Sequence, residues 1–403
     1  MRIQRPSYSL AATSMLALGL ALVANAAHAA FYVQDNLVTD GSASTPPGPP
    51  AANTDPDLIN PWGISYSPTG PFWVSDNNAG VATIYNGAGT KITLFAGTST
   101  PVPQVTIATP PGQNPGTAAP TGQVFNGGGG FNVSSGGLTG SSAFIFATED
   151  GTISGWSPGV SKTNSILAVD NSQGGAGAVY KGLTMGTSGG QNLLYATNFR
   201  GGTVEVYNSS FQLVNTISDP TAPAGYAPFN VLVANGKLYV TFALQDSAKH
   251  DDVAGPGNGF VDTFNLDGSN RQRLIPFTPG TGVLNSPWGL DIAPSGFGSF
   301  GGDLLVGNFG DGTINAFDAT SGALLGTIDG ANGQPLVNGD LWDIINGNGG
   351  AGGSLNSIYI TAGVAGEAEG LFASISVPEP GSLAVFTTAL GLLGWMRRRM
   401  AKG

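Results

Sequence analysis

The chain has 403 residues; 64 are glycine, 10% are charged, two are histidine and none is cysteine. Glycine is about twice its usual share without a three-residue period, and charged residues are less than half theirs, which excludes collagen, coiled coils and charged disordered chains. The missing cysteines exclude disulfides, thiolate metal sites and cysteine nucleophiles, and the net charge of −11 argues against a nucleic-acid partner, which needs a basic surface.

The first 29 residues carry Arg2 and Arg5, an apolar run over 16–24, and then Ala27-His28-Ala29. A basic start, a short apolar stretch and small residues before a cut form the three-part pattern of an export signal. The expected signal peptide is 1–29, cleaved by signal peptidase after Ala29, with Ala27 and Ala29 as the small residues at the cut. Without this segment and the basic C-terminal tail, the body over 30–376 is more acidic still, at about −16. That balance suits cations, carbohydrate or solubility.

Residues 31–38 read as a strand with no neighbours of its own. Six copies of one pattern follow. Each opens on an apolar strand, continues with a second strand ending in polar residues, and turns through Gly into an alternating third strand ending in an aromatic. The first copy is Pro61-Trp62-Gly63-Ile64, Phe72-Trp73-Val74-Ser75-Asp76-Asn77 and Ala82-Thr83-Ile84-Tyr85. The fifth is Pro287-Trp288-Gly289-Leu290, Leu304-Leu305-Val306-Gly307-Asn308 and Gly312-Thr313-Ile314-Asn315-Ala316-Phe317. Anchors at Trp62, Gly122, Gly182, Phe229, Trp288 and Trp342 recur at blade-like spacing. Self-similar all-β units at this period predict a six-bladed β-propeller over 30–376. The sixth copy stops at its third strand, so the N-terminal strand is expected to complete the last blade and close the ring. Residues 41–53 and 98–120, rich in Pro, Gly and Thr, read as long surface loops.

Asn60-Pro61-Trp62-Gly63, the run from Ala147-Thr148-Glu149-Asp150-Gly151 to Trp156, Lys249-His250-Asp251-Asp252-Val253 and Pro287-Trp288-Gly289-Leu290 resemble an uncharacterised family of exported propeller-like proteins. The resemblance spans roughly 31–376 and implies an NHL-like six-bladed propeller; no activity comes with it. Where that pattern has His before the final Gly-Leu-Phe, this chain has Glu369.

In a propeller the loops from second to third strands share one rim with the loops that enter the first strands. Those positions hold Asp76, Asn77, Glu149, Asp150, Asn198, Asp246, Asn308 and Asp311. Such hard oxygen ligands make a candidate Ca2+ site, although Asp and Asn in turns also bond their own backbone. His250, Asp251 and Asp252 form the densest polar cluster, a candidate general base or metal ligand set. No catalytic residue is assigned.

The chain closes on Val377-Pro378-Glu379-Pro380-Gly381, an apolar stretch over 382–396, and Arg397-Arg398-Arg399. The prolines keep the first part extended, the apolar part is short for a membrane span, and the arginines suit the cytoplasmic side. The arrangement over 377–403 resembles the PEP-CTERM sorting signal, which implies a short transmembrane helix at about 382–396 and processing by an exosortase. The expectation is an exported, exosortase-sorted β-propeller of the cell surface or extracellular matrix, non-catalytic and structural or binding. Exopolysaccharide or a surface protein is its expected partner. Two alternatives stand beside it: a carbohydrate- or protein-binding module using rim aromatics, and a Ca2+-dependent lactonase-like hydrolase.

Overall fold

The computed structural model describes residues 31–42, 46–113, 116–173 and 177–378. Residues 1–30 and 379–403 lie outside the described residues, and with them the expectations for Ala27, Ala29, Glu379, Pro380 and Arg397–Arg399 and the expected transmembrane helix at about 382–396. Among the described residues no helix is long and apolar enough to cross a membrane, and the one helical turn is Gly298–Phe300.

Six antiparallel sheets form a ring. Blade 1 runs outward from Pro61–Ser65 through Phe72–Asp76 and Val81–Tyr85 to Gln104–Thr106. Blades 2 to 5 repeat this order, with innermost strands Pro120–Phe125, Tyr180–Ser188, Tyr226–Ala234 and Pro287–Ile292. Blade 6 takes Leu341–Asn346, Ser357–Ala362 and Leu371–Ser376 from the end of the chain and its fourth strand, Val33–Thr39, from the beginning. Val33 pairs with Ser376 and Thr39 with Leu371, so the ring closes as the sequence predicts and the sheet edge of the last blade is covered.

Alternation along each strand explains why blades stack. In Phe144–Thr148, Phe144 and Phe146 face Trp73 and Ile84 of blade 1, whereas Ile145 and Ala147 face Tyr180 and Leu194 of blade 3. A strand buried on both faces reads as continuous apolar sequence, which these second strands do. The same sandwich recurs around the ring, including blade 6 against blade 1 through Val38, Phe372, Phe72 and Val74.

Near the axis, polar side chains of innermost strands tie neighbouring blades together. Gln123 donates through Nε2 to the carbonyls of Gly63 (2.7 Å) and Trp73 (2.9 Å). Asn230 donates to the Trp288 carbonyl (2.8 Å). Asp343 accepts from the Ile64 amide (2.7 Å) and Asp291 from that of Asn346 (2.8 Å). Close approach here explains Gly122: a Cβ would lie 2.3 Å from the Leu183 backbone nitrogen.

Three expectations need correction. Residues 98–120 are not simply a loop: Gln104–Thr106 is the outer strand of blade 1, and Val102, Val105 and Ile107 are buried. A three-residue edge strand beside prolines carries too little periodicity to be read. Asn53–Thr54, at the end of the predicted loop 41–53, pairs in parallel with Val38–Thr39. The register of the repeat also shifts. Pro61, Pro120, Tyr180, Pro228, Pro287 and Leu341 occupy matching pairing positions. The matching axial residues are therefore Trp62, Thr121, Lys181, Phe229, Trp288 and Trp342, one place earlier than the predicted anchors in blades 2 and 3.

Candidate functional site

The innermost strands begin at one rim, called upper here, where the second strands end. Just inside it, the axial residues close the channel with aromatic rings. Trp62 stacks on Trp342 with centroids 3.3 Å apart, and Trp288 stands across both at 5.9 Å. Phe199, Phe229 and Phe309 complete this layer. In blade 3 the axial place belongs to Lys181, 2% exposed, whose ammonium lies 5.0 Å from the Trp62 ring centroid and 5.9 Å from that of Phe199.

Lys181 pairs closely with Glu149 and, at 3.3 Å, with Asp251. Burial alone would lower its pKa; the charges of Glu149 and Asp251 overcome that and hold the ammonium above its ordinary value. Asn77 donates to the second oxygen of Glu149 at 3.0 Å. His250 Nδ1 and Asp251 Oδ1 are 2.8 Å apart. That hydrogen bond raises the His250 pKa and lowers that of Asp251 to about 2. Beside them, burial pushes Asp252 up to about 6.

Across the mouth, Glu367 accepts from Asn60 Nδ2 at 2.8 Å, and Asn60 Oδ1 accepts from the Trp342 indole at 2.9 Å. Burial raises Glu367 to about 7, with the charge of Glu149 adding to it. Glu367 sits on a loop where Val364, Ala365, Gly366 and Glu367 all have positive φ. Three of these four residues are not glycine, and side-chain-bearing residues in that region store strain of the kind that concentrates at functional sites.

Of the residues singled out in the sequence, the fold brings together Asn77, Glu149, His250, Asp251 and Asp252, with Asp150 at the edge, its carboxylate accepting from the Ala119 amide (2.8 Å). The others serve their own turns. Asp76 is fully buried inside blade 1, accepts from the Thr83 amide, and has its pKa pushed well up by burial. Asn198 bonds Glu205 (2.8 Å), Asp246 accepts from the His250 amide (2.8 Å), and Asn308 bonds Asp311 (3.2 Å). A continuous ring of oxygen ligands is therefore not formed. Glu369, in the place of the expected histidine, accepts from Ser42 (2.6 Å). Sequence reading missed Lys181 and Glu367. A proline precedes the axial residue in blades 1, 2, 4 and 5, but Tyr180 stands in that place in blade 3, so the marker is missing where Lys181 would have been found; nothing in the pattern marks Glu367.

Ligand atoms of Glu149, His250 and Asp251 lie within 4.8 Å of one another, a set suited to a divalent cation. Lys181 already supplies a positive charge against two of the three.

No family model matches this sequence. Solved structures with a similar course include a streptogramin B lyase (12% identity, TM-score 0.44, covering 86% of this chain and 98% of that one). An α-L-arabinanase of Penicillium chrysogenum complexed with arabinobiose is similar at 11% identity and TM-score 0.47, with the same coverage. Likeness at this level carries no information about activity. Among curated proteins, an uncharacterised protein of Acanthamoeba polyphaga mimivirus is 35% identical over 295 residues, 71% of this chain and 73% of that protein. A second uncharacterised protein of the same virus is 32% identical over 333 residues, 81% of this chain and 76% of that protein. At that identity and coverage, the six-bladed propeller described here belongs to one family with these two uncharacterised viral proteins.

Proposed function

We propose that this protein is exported, sorted by its C-terminal segment, and displayed on the cell surface or in the extracellular matrix as a non-catalytic binding propeller. The observation that carries the reading is the position of the two ends of the ring. Val33 and Ser376 are paired neighbours. By strand direction both lie on the lower rim, opposite Lys181 and Glu149. Leader and sorting tail would leave the fold side by side, and both can be cut away without removing a strand. A tail beginning at Val377 then tethers the propeller with its charged upper rim turned outward. Signal peptidase and an exosortase are the processing partners; exopolysaccharide or a surface protein is the ligand class. Lys181 supports the non-catalytic half, because its ammonium neutralises the carboxylates that would otherwise be free to act.

The test is intact-mass measurement of the surface form in a host with a matching exosortase. The expected species lacks residues 1–29 and everything after roughly Pro380, and sediments with the host's exopolysaccharide. A surface form still ending in Gly403 refutes sorting; mature protein left in the supernatant refutes polysaccharide binding.

The Glu149–His250–Asp251 triad favours a second reading, a divalent-cation site on the upper rim serving a lactonase-like hydrolase. It requires the cation to displace the Lys181 ammonium. If it holds, millimolar Ca2+ raises the melting temperature by mass action, and Glu149→Gln abolishes the gain.

A further inference from the structure

Below the aromatic layer the axis opens into a cavity of about 340 Å³ lined by the innermost strands of all six blades. That volume lies within the range of small-molecule sites. Its chemistry is uneven. Asp291 and Asp343 line it, and none of the lining residues is basic. Among the described residues neither carboxylate has an ion pair. Each of their four oxygens accepts one backbone N–H, from Ile292 and Asn346 for Asp291 and from Ile344 and Ile64 for Asp343. A carboxylate oxygen has capacity for a second donor.

The amides repeat the asymmetry. Gln123 spends its NH2 on the Gly63 and Trp73 carbonyls, Asn230 donates to Trp288, and Asn346 donates to Ile292. Gln123 Oε1 accepts once, from Ser65, and Asn230 Oδ1 once, from Val231, each with capacity for a second donor, and the Asn346 oxygen is buried without a partner among the described residues. The wall is thus rich in acceptors whose donors are committed to the backbone. Among the donors, beside the hydroxyls of Tyr66 and Thr184, Trp288, 1% exposed and also lining the cavity, carries an indole N–H with no hydrogen-bond partner among the described residues. Buried polar groups of this kind are normally satisfied.

A ligand that meets both demands offers several donors and at least one acceptor, is small, and presents apolar faces to Trp288, Ile344 and Leu290. A polyhydroxylated ring does all of this: its hydroxyls donate to Asp291, Asp343 and the amide oxygens, accept from Trp288, and its C–H faces pack on the apolar wall. A bare metal ion satisfies the carboxylates and leaves the indole unmatched. We propose that the axial cavity is a binding site for one saccharide unit, held between Asp291, Asp343 and Trp288. The mouth lies on the lower rim, beside Tyr66 and Leu232, so the unit enters from the side on which both ends of the ring lie. The inference deepens the binding half of the proposed function and is independent of sorting.

The experiment is calorimetric and fluorescence titration of the full-length chain with D-glucose, D-galactose, D-mannose and N-acetylglucosamine, and separately with CaCl2. At least one sugar is expected to bind and to change tryptophan emission. Asp343→Asn is expected to weaken it about tenfold, the equivalent of 1.4 kcal/mol. Leu232→Trp, which narrows the mouth and leaves both carboxyls in place, gives the same loss if Asp343→Asn fails to fold. Ser218→Ala, at an exposed surface position, leaves it unchanged. Absence of binding by all four sugars, or binding indifferent to Leu232→Trp, overturns the inference. So does a response to Ca2+ alone that Asp343→Asn removes. Wild-type and Leu232→Trp proteins that sediment equally with exopolysaccharide leave the binding reading intact and remove the cavity from it.

Discussion

The buried ammonium at the axis sets a quantitative test. Lys181 is 2% exposed, Glu149 12% and Asp251 65%. The pair with Asp251 is solvent-facing and contributes little; the pair with Glu149 is buried and holds the balance. Glu149→Gln leaves the ammonium desolvated with only Asp251 at 3.3 Å, so it falls in the class of broken buried pairs, costing about 3–5 kcal/mol. Lys181→Met leaves Glu149 partly solvated and still bonded to the Asn77 amide, so its cost is lower, about 2–3 kcal/mol. The double variant removes both charges and keeps the volume, so it should cost less than the two single variants together, by about 2 kcal/mol or more. For a ring of this length, 1 kcal/mol corresponds to roughly 1.5 °C in melting temperature, which puts Glu149→Gln about 4.5–7.5 °C below the parent. Urea unfolding followed by tryptophan emission, with calorimetric melting at pH 7, measures all four proteins. Additive single costs, or a Glu149→Gln variant no weaker than Lys181→Met, refute the view that Lys181 is the internal counter-charge.

Three further outcomes follow from the same structure. Deleting residues 31–39 removes the strand paired with Leu371–Ser376 and should lower the melting temperature of the whole ring and promote aggregation; an unchanged melt would break the closure argument. Gly122→Ala places a Cβ 2.3 Å from the Leu183 nitrogen, between two backbones that cannot both yield. It should cost about 2–3 kcal/mol in urea unfolding, and a loss under 0.5 kcal/mol would show that the blades slide freely. Burial raises Asp291 to about 7 and Asp343 to about 8 from 3.8, so the folded state keeps protons that the unfolded chain has released. Stability then falls as pH rises from about 4 to about 8. His250, raised by its bond to Asp251, acts in the same direction, whereas Asp251, held at about 2, withdraws its contribution only as acid is added below about pH 4. The urea midpoint should be higher at pH 5 than at pH 8, with a shallower fall in Asp343→Asn; a higher midpoint at pH 8 contradicts the assignment.

The ring was legible in the sequence because each blade repeats a code that short-range physics enforces. Phe144 and Ile145 point to opposite faces, so a strand sandwiched between blades must be apolar at both, and six such runs announce six interfaces. Closure by the N-terminal strand was legible from a missing fourth strand at Leu371–Ser376 and an orphan strand at the start. The outer strand Gln104–Thr106 was not, because an edge strand needs only one buried side chain, Val105, to hold its place. At the site, the run Lys249–Val253 announced polar chemistry because it is locally dense. Glu149, Asp251 and Lys181 meet across blades 2, 4 and 3, and that meeting depends on a register that glycine-based anchors misplace by one residue. Asp76 shows the reverse error: an acid at the end of a second strand looks like a rim ligand, yet the strand's last residue still points into blade 1.

The axial layer gives these features a common logic. Trp62, Trp288 and Trp342 close the channel where a continuous pore would otherwise run from rim to rim, and they separate two acidic environments that solve the same problem differently. Above the layer, Glu149 and Asp251 are neutralised by Lys181, placed at the one axial position where blade 3 departs from an aromatic or small residue. Below it, Asp291 and Asp343 have no cation; their charge is moderated by backbone amides of adjacent blades and by a proton retained near neutrality. The upper site is therefore balanced as it stands and gains little from a cation. The lower cavity is left with acceptors to spare and one indole N–H to match, and its four carboxylate oxygens are fixed in place by the strands that line it. A preorganised wall that needs no rearrangement to receive hydroxyl donors keeps the ordering cost of binding low, which is why the axial cavity, and not the more conspicuous charged rim, is where ligand recognition is placed.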